Sequence, residues 1–207
     1  IWFDPDILRL NFDKRGTYLG EFSPNEEIVV ICKNGDYYTT SFELENHYDE
    51  DILRIEKFNP HKTWTVALFD ADQQNLPYLK RFQLESSKKR VSMLGNNLSK
   101  MILITDTAYP RLEVVFGGDS SFRENLIIDA EEFIGVKSMK AKGKRITLWA
   151  IDKINELKPT KYPEQQAEVE QKDLEPTTLP TEESNNDDTP DTSSLNIDED
   201  TGQISLF

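Results

Sequence analysis

The 207-residue chain has one cysteine, two histidines and no long apolar run, and each scarcity excludes a class of protein. A lone Cys32 cannot build a disulfide framework or a cysteine-based zinc site within one chain. His47 and His61 have no matching ligand pattern around them, so we predict no metal site. No run approaches the roughly 18 consecutive apolar residues of a membrane-spanning helix, so we predict no membrane segment.

Charge is distributed unevenly along the chain. The 38 acidic and 24 basic residues give a net charge of −14, whereas nucleic-acid-binding domains are usually basic. Residues 163–207 hold 13 of the acidic residues and a single base, Lys172, for a net charge of −12. The remaining 25 acidic and 23 basic residues leave residues 1–162 at a net charge of −2. That part of the chain therefore retains enough bases for a basic face.

Composition divides the chain after residue 162. Residues 163–207 are rich in Pro, Thr, Ser, Asn and Gln and lack an aromatic residue before Phe207. Such a segment buries too little apolar surface to offset its ordering entropy. We predict a folded domain over residues 1–162 and a disordered acidic tail over residues 163–207. The tail either solubilises the chain or folds back on a basic face of the domain. The first residue, Ile1, leads us to expect a fragment of a longer protein.

The domain is predicted to be all-β. Short β-branched and aromatic runs end at turn residues, and Asn34-Gly35 between two such runs is a strong hairpin signal, because a type I′ turn needs positive φ at both central residues. Paired runs recur about every 35–40 residues. They cover residues 28–42, 64–82, 101–116 and 133–149. We predict propeller-like blades of about four strands, with a β-sandwich as the alternative.

Several segments together resemble a known family. These are residues 15–22, 28–42, 70–82, 109–118 and 133–145. They are similar to the C-terminal domain of the A subunit of bacterial type IIA topoisomerases, which are DNA gyrase and topoisomerase IV. The resemblance covers nearly all of residues 1–162 and implies a β-pinwheel, a propeller-like ring whose blades exchange strands. The domain has room for fewer blades than a full ring, so we expect a partial one.

The resemblance implies a DNA-binding and DNA-wrapping accessory domain. Duplex DNA bent on a basic rim would steer strand passage by the catalytic core, which is absent here. The family's catalytic tyrosine and metal site lie outside this domain, so we expect no catalytic residue, metal or cofactor in this chain. The parent would be an ATP-dependent enzyme that uses ATP and Mg²⁺ through other domains and assembles with a B subunit. It would act in the bacterial cytoplasm, in association with the nucleoid.

The resemblance leaves the type of topoisomerase open. Gyrase subunits usually carry a Gln-Arg-Arg-Gly-Gly-Lys-Gly box, which this sequence lacks. Residues 140–145 are basic and contain a glycine but do not form that motif. The difference favours a topoisomerase IV-like role, or places the box upstream of Ile1.

Clusters of basic residues are the candidate DNA contacts, because attraction to phosphate dominates duplex binding. Residues 137–145 hold five bases and no acid, and Gly143 would let the backbone approach a phosphate. Lys80 and Arg81 point to opposite faces of a predicted strand, so at most one should reach the rim. We expect no reading of base edges. The predicted contacts are Lys137, Lys140, Lys142, Lys144, Arg145, Lys88, Lys89, Arg90, Lys80, Arg81, Lys14 and Arg15.

The last five residues form a second candidate site. The sequence Gln-Ile-Ser-Leu-Phe at residues 203–207 resembles the Gln-x-x-Leu-Phe peptide with which bacterial replication proteins bind the DNA polymerase sliding clamp. Leu206 and Phe207 would fill an apolar pocket, and Gln203 would add an orienting hydrogen bond. The alternative function is therefore a protein-interaction module that localises the topoisomerase, for example to the sliding clamp.

We expect a synthetic peptide of residues 195–207 to bind the sliding clamp in a fluorescence-anisotropy titration. Replacing Leu206 and Phe207 with alanine should abolish binding, because both side chains would fill the pocket. A scrambled peptide of the same composition controls for charge. Failure of the native peptide to bind at high micromolar concentration would exclude the clamp as partner.

Overall fold

Residues 1–162, which this computed structural model describes, fold into four small antiparallel sheets. The strands are β1 (Trp2–Asp4), β2 (Arg9–Asn11), β3 (Thr17–Tyr18), β4 (Ile28–Cys32), β5 (Asp36–Thr40), β6 (Ile52–Lys57), β7 (Thr63–Asp70), β8 (Leu76–Gln83), β9 (Val91–Ser92), β10 (Lys100–Thr105), β11 (Arg111–Phe116), β12 (Leu126–Asp129), β13 (Lys144–Arg145) and β14 (Ile151–Leu157). One helical turn, α1 (Ala130–Phe133), follows β12. The predicted all-β fold is confirmed, and the predicted tail, with Gln203, Leu206 and Phe207, lies outside the described residues.

One strand pattern recurs four times along the described chain. The sheet orders are β2-β1-β3, β6-β4-β5-β9, β10-β7-β8-β13 and β12-β11-β14, and we call these sheets blades 1 to 4. In each blade the first strand lies between the second strand and the last strand of the repeat. The predicted hairpin joins β4 to β5, with Gly35 at a φ of +87°. A glycine is required there because a Cβ atom at positive φ is strained.

Blades 2 and 3 obtain their edge strand from the following repeat. β9 follows β8 in the chain but pairs with β5 of blade 2. β13 follows β12 but pairs with β8 of blade 3. A single bridge between Arg9 and His47 occupies the corresponding edge of blade 1. The described residues therefore form strand-exchanging blades of a partial pinwheel.

A buried residue follows each segment that pairs with the preceding blade, namely β9, β13 and the bridge at His47. The backbone of this residue bonds to the preceding blade. The backbone N–H groups of three residues donate to carbonyl groups of that blade, Tyr48 to Leu8 at 3.1 Å, Met93 to Gly35 at 3.0 Å and Ile146 to Pro77 at 2.8 Å. All three side chains are buried. Burying a large apolar side chain contributes roughly 1.5–3 kcal/mol, so this residue stabilises an otherwise short pairing.

The apolar core lies between successive blades. The side chains of β4 alternate, so that Ile28, Val30 and Cys32 pack toward blade 1 while Val29 and Ile31 pack toward blade 3. A third cluster joins blades 3 and 4. Because both faces of such a central strand are covered, it is apolar throughout instead of alternating. No helix of residues 1–162 is long and apolar enough to cross a membrane.

An ion-pair network joins blades 2 and 3. Arg54 on β6 donates both terminal guanidinium nitrogens to the carboxylate of Asp106, each at 2.8 Å. Lys62 bridges Asp106 at 2.7 Å and Glu56 at 2.5 Å. The Arg54 guanidinium also lies 4.9 Å from the centre of the Trp64 ring. Partial burial opposes ionisation of Asp106, but hydrogen bonds from Arg54 and Lys62 prevail and lower its pKa to about 2.

We expect Asp106→Asn in the full chain to lower the free energy of unfolding by about 1–2 kcal/mol at neutral pH, because two partly buried cations lose their partner. The depressed pKa of Asp106 stabilises the fold above the unfolded-state pKa of about 4. Wild type and variant should therefore converge as the pH falls from about 4 to 2. Urea unfolding across a pH series measures this difference.

Asp13→Asn is the matched control, since Asp13 is exposed and lies 3.4 Å from an exposed Arg15. Such an ion pair at the surface contributes little to the free energy of unfolding. Equal stability of Asp106→Asn and wild type at neutral pH would contradict the assigned role of the network.

Candidate nucleic-acid interface

Three connections carry the chain from one blade to the edge of the preceding blade. We call them crossover 2 (residues 41–46, from β5 to His47), crossover 3 (residues 84–90, from β8 to β9) and crossover 4 (residues 134–143, from α1 to β13), numbered by the blade they leave. Two of the predicted basic clusters fall on crossovers 3 and 4. The strand-exchange topology therefore places both clusters at equivalent positions of adjacent blades.

Crossover 4 and β13 carry the least compensated positive charge. Lys137, Lys140, Lys142, Lys144 and Arg145 are all exposed, and none of them forms a salt bridge with an acidic residue among residues 1–162. The Lys144 ammonium group donates to the Phe133 carbonyl oxygen at 3.0 Å. Exposed bases without a neighbouring carboxylate keep their charge available to a phosphate group.

Backbone contacts hold crossover 4 against blade 3. The Lys137 N–H donates to the Arg81 carbonyl oxygen at 2.8 Å. Gly143 has a φ of +89°, and a Cβ atom there would lie 2.5 Å from the Leu79 carbonyl oxygen. The glycine thus permits close approach of β8, and the predicted approach to a phosphate stays a prediction. It sets the position from which Lys144 and Arg145 project.

Crossover 3 is largely neutralised by acidic residues from other parts of the fold. Lys88 forms an ion pair with Glu27. Arg90 lies 2.5 Å from the Asp49 carboxylate and 2.7 Å from that of Asp51, and its hydrogen bond lowers the pKa of the Asp51 carboxyl. Lys89 is exposed and has no salt-bridge partner among the described residues. Of the three predicted contacts on this crossover, Lys89 keeps an uncompensated charge.

Lys80 and Arg81 are both buried, at 5% and 6% exposure. The Lys80 ammonium donates to the Met93 carbonyl oxygen at 2.7 Å, and an Arg81 guanidinium nitrogen donates to that of Ile134 at 3.3 Å. Burial lowers the pKa of both groups. At most one was expected at the rim, and the structure places neither there, because interior carbonyl groups bind both charges. Their contacts position the segments around β9 and crossover 4.

Lys14 and Arg15 lie in the exposed turn between β2 and β3 of blade 1. Lys14 adopts a φ of +61°, and Arg15 is 3.4 Å from the Asp13 carboxylate. This pair belongs to a different blade from crossovers 3 and 4. The structure therefore does not join all twelve predicted bases into one cluster.

The two basic crossovers meet around one cavity of about 500 Å³. Lys137 and Lys140 contribute to it from crossover 4, and Glu85 and Ser86 from crossover 3. Crossover 2, by contrast, contains exposed Glu43 and Glu45 and no base. Uncompensated positive charge is thus concentrated on crossovers 3 and 4, which lie against blades 2 and 3, a property that alignment of the repeats could have exposed from the sequence.

The cysteine and the possible metal ligands were the other candidate functional groups of the sequence. Cys32 is buried as predicted, and burial, assisted by nearby Asp51, raises its pKa to about 11. A thiol in that range is unreactive at neutral pH. Within residues 1–162, no group of three or more His, Cys, Asp and Glu side chains is placed to hold a metal ion.

The fold and the charge distribution define a strand-exchanging blade-repeat domain with a basic surface on two adjacent blades. The chain matches the family of topoisomerase C-terminal domains from Bacteroidota over residues 9–158, and it belongs to that family. This finding confirms the topoisomerase resemblance inferred from the sequence. A search of the curated proteins and of the solved structures found no match to the chain.

We expect Gly143→Ala to loosen the β13–β8 pairing and to lower the melting temperature, because positive φ and a contact with the Leu79 carbonyl both oppose a Cβ atom. The strain should cost about 1–2 kcal/mol. Hydrogen exchange at Lys144 and Arg145 should accelerate, and differential scanning calorimetry measures the stability.

Gly135→Ala is the matched control on the same crossover, since its Cβ position has no atom within 4 Å. Equal melting temperatures for the two alanine variants would contradict the positioning role of Gly143.

Proposed function

We propose that this domain binds and bends duplex DNA as an accessory part of a type IIA topoisomerase. The observation that carries the proposal is the run of exposed, uncompensated bases on crossover 4 and β13. With one base of crossover 3 they form what we call the basic surface, consisting of Lys89, Lys137, Lys140, Lys142, Lys144 and Arg145. Membership in the topoisomerase C-terminal domain family supports it independently.

Binding would be electrostatic. Each lysine or arginine that contacts a phosphate releases condensed counterions, so affinity falls with salt at a slope of about −0.9 per phosphate. Six bases therefore limit the slope to about −5. Flexible lysine side chains on a surface shared by two blades bind the backbone without reading base edges, and the bend of the DNA follows the surface.

The domain's own part in the reaction would be to orient DNA. A duplex held on the basic surface directs its flanking segment toward the catalytic core of the parent enzyme, which would perform the ATP-dependent strand passage together with a B subunit. The small number of uncompensated bases suits moderate bending by one domain. Moderate bending fits a topoisomerase IV-like role better than the tight DNA wrapping of a gyrase. The gyrase box, which this sequence lacks, points the same way.

We expect the full chain to bind a duplex of about 40 base pairs with a steep salt dependence. The triple variant Lys140→Gln, Lys142→Gln, Arg145→Gln should bind more weakly, with a slope shallower by about 2.7, because three phosphate contacts are lost. Fluorescence anisotropy across a salt series measures both quantities.

The charge-matched control is Lys33→Gln, Lys57→Gln, Lys161→Gln, which removes three bases that already bind acidic residues or their backbone. It should keep most of the wild-type slope. Equal losses in the two triple variants would show that only net charge matters, and absence of DNA binding by the wild-type chain at low salt would overturn the proposal.

The protein-interaction alternative depends on Gln203, Leu206 and Phe207 and predicts a different pattern. Clamp binding through those residues would survive the Lys140, Lys142 and Arg145 substitutions. The two functions are compatible, since they use separate parts of the chain.

A further inference from the structure

The connection between β11 and β12 is the longest hairpin connection of the four blades. It spans residues 117–125, whereas the connections between the first and second strands of blades 1 to 3 cover residues 5–8, 33–35 and 71–75. Backbone hydrogen bonds fold it, from the Ser120 N–H to the Gly117 carbonyl oxygen at 3.0 Å and from the Arg123 N–H to that of Ser120 at 3.1 Å. The connection of blade 4 thus has a defined backbone that places the Arg123 side chain.

The Arg123 side chain lies against the segment between β13 and β14. The Gly117 N–H donates to the Ala150 carbonyl oxygen at 3.0 Å and holds this segment beside the connection. The central carbon of the Arg123 guanidinium lies 3.7 Å from the centre of the Trp149 ring and 5.3 Å from that of Phe122. Arginine stacks on aromatic faces in this way, so the indole of Trp149 fixes the guanidinium.

The Arg123 guanidinium has no acceptor among residues 1–162. Its side chain takes part in none of their salt bridges, and its Nε atom is buried without a hydrogen-bond partner. Asp119 and Glu124 of the same connection are exposed and do not pair with it. A partly desolvated charged donor without an acceptor is costly, so this position is suited to an acceptor that a ligand supplies.

The other arginines that are not exposed differ from Arg123 in this respect. Within the described chain, each has an oxygen acceptor within 4.0 Å, and these pairs are Arg54 with Asp106, Arg81 with Ile134, and Arg111 with Asp129. Stacking on Trp149 uses the face of the Arg123 guanidinium and leaves its N–H donors at the edge. A fixed fork of unused donors matches the geometry of a phosphate or carboxylate group.

Arg123 lies next to a segment that continues directly from the basic surface. Arg145, the last residue of that surface, pairs with Tyr78 at the edge of blade 3, and Trp149 follows it by four residues. Four residues of extended chain span at most about 14 Å. Each strand of duplex DNA carries a phosphate about every 3.4 Å along the helix axis, so a duplex that contacts Arg145 has phosphate groups at this distance.

We propose that Arg123, stacked on Trp149, binds a phosphate group of the duplex held on the basic surface. The inference rests on the proposed DNA-binding function and extends the DNA contact to blade 4. A carboxylate would fit the same donor fork, but the neighbouring uncompensated charges of Lys144 and Arg145 favour a polyanion. Trp149 is a positioning residue, because a guanidinium that is already fixed loses less side-chain entropy when the phosphate binds.

Fluorescence anisotropy of the full chain with a duplex of about 40 base pairs, across a salt series, tests the proposal. Arg123→Gln should reduce the salt slope by about 0.9 and weaken binding about eightfold at 0.1 M salt, because one phosphate contact is lost. Arg9→Gln is the matched control, since Arg9 is exposed in blade 1 and forms no salt bridge among the described residues. It removes the same charge and should leave affinity and slope close to those of wild type.

Trp149→Leu tests the positioning role, because it keeps every charge and removes the stacking surface. It should weaken DNA binding about threefold in the wild-type background, the equivalent of an exposed cation–π contact. In the Arg123→Gln background it should have no further effect, because the indole acts through the guanidinium. A merely structural role of Trp149 would weaken binding equally in both backgrounds.

The proposal is overturned if Arg123→Gln and Arg9→Gln bind DNA alike, or if Trp149→Leu has the same effect in both backgrounds. Either result would leave the proposed function standing, as long as the wild-type chain binds DNA and the Lys140, Lys142 and Arg145 triple variant binds it more weakly. Absence of DNA binding by the wild-type chain would overturn both proposals.

Discussion

Strand exchange between neighbouring blades is the constraint on which the rest of the structure depends. A two-stranded hairpin is marginal by itself in water, and here the hairpins of blades 2 and 3 each gain an edge strand from the next repeat. Each of these edge pairings spans only one or two residues. A buried residue next to it stabilises the pairing, and these residues are Tyr48, Met93 and Ile146. The hydrophobic core consequently lies between blades, and the central strand β4 is apolar on both faces.

The same constraint connects the fold to the proposed function. A chain that must return to the edge of the preceding blade needs a crossover, and two of the three crossovers carry the bases. Buried Lys80 and Arg81 contribute from inside by binding carbonyl groups next to β9 and crossover 4. Gly143 lets β13 approach β8 closely, which places Lys144 and Arg145 at the surface. The positions of the charged side chains at the surface therefore depend on how the residues beneath them pack.

Blade 4 shows how the exchange pattern ends within the described residues. Its outer face carries Glu113, whose carboxylate accepts hydrogen bonds from two asparagines, and the directly paired Ile127. Its exchange edge, formed by β12, carries no paired strand among residues 1–162. A repeat stack needs a polar outer face at its end to remain soluble. The open exchange edge distinguishes blade 4 from the other three blades within residues 1–162.

The sequence by itself determined the β character, the hairpin at Gly35, the family and the densest basic segment, residues 137–145, because strand alternation, turn residues and charge runs are local properties. Only the tertiary structure decided which bases are available. Arg90 is neutralised by acidic residues about 40 positions away, and Lys80 and Arg81 are buried. Burial and ion pairing depend on which blades meet, and that follows from long-range strand exchange, which no local pattern encodes.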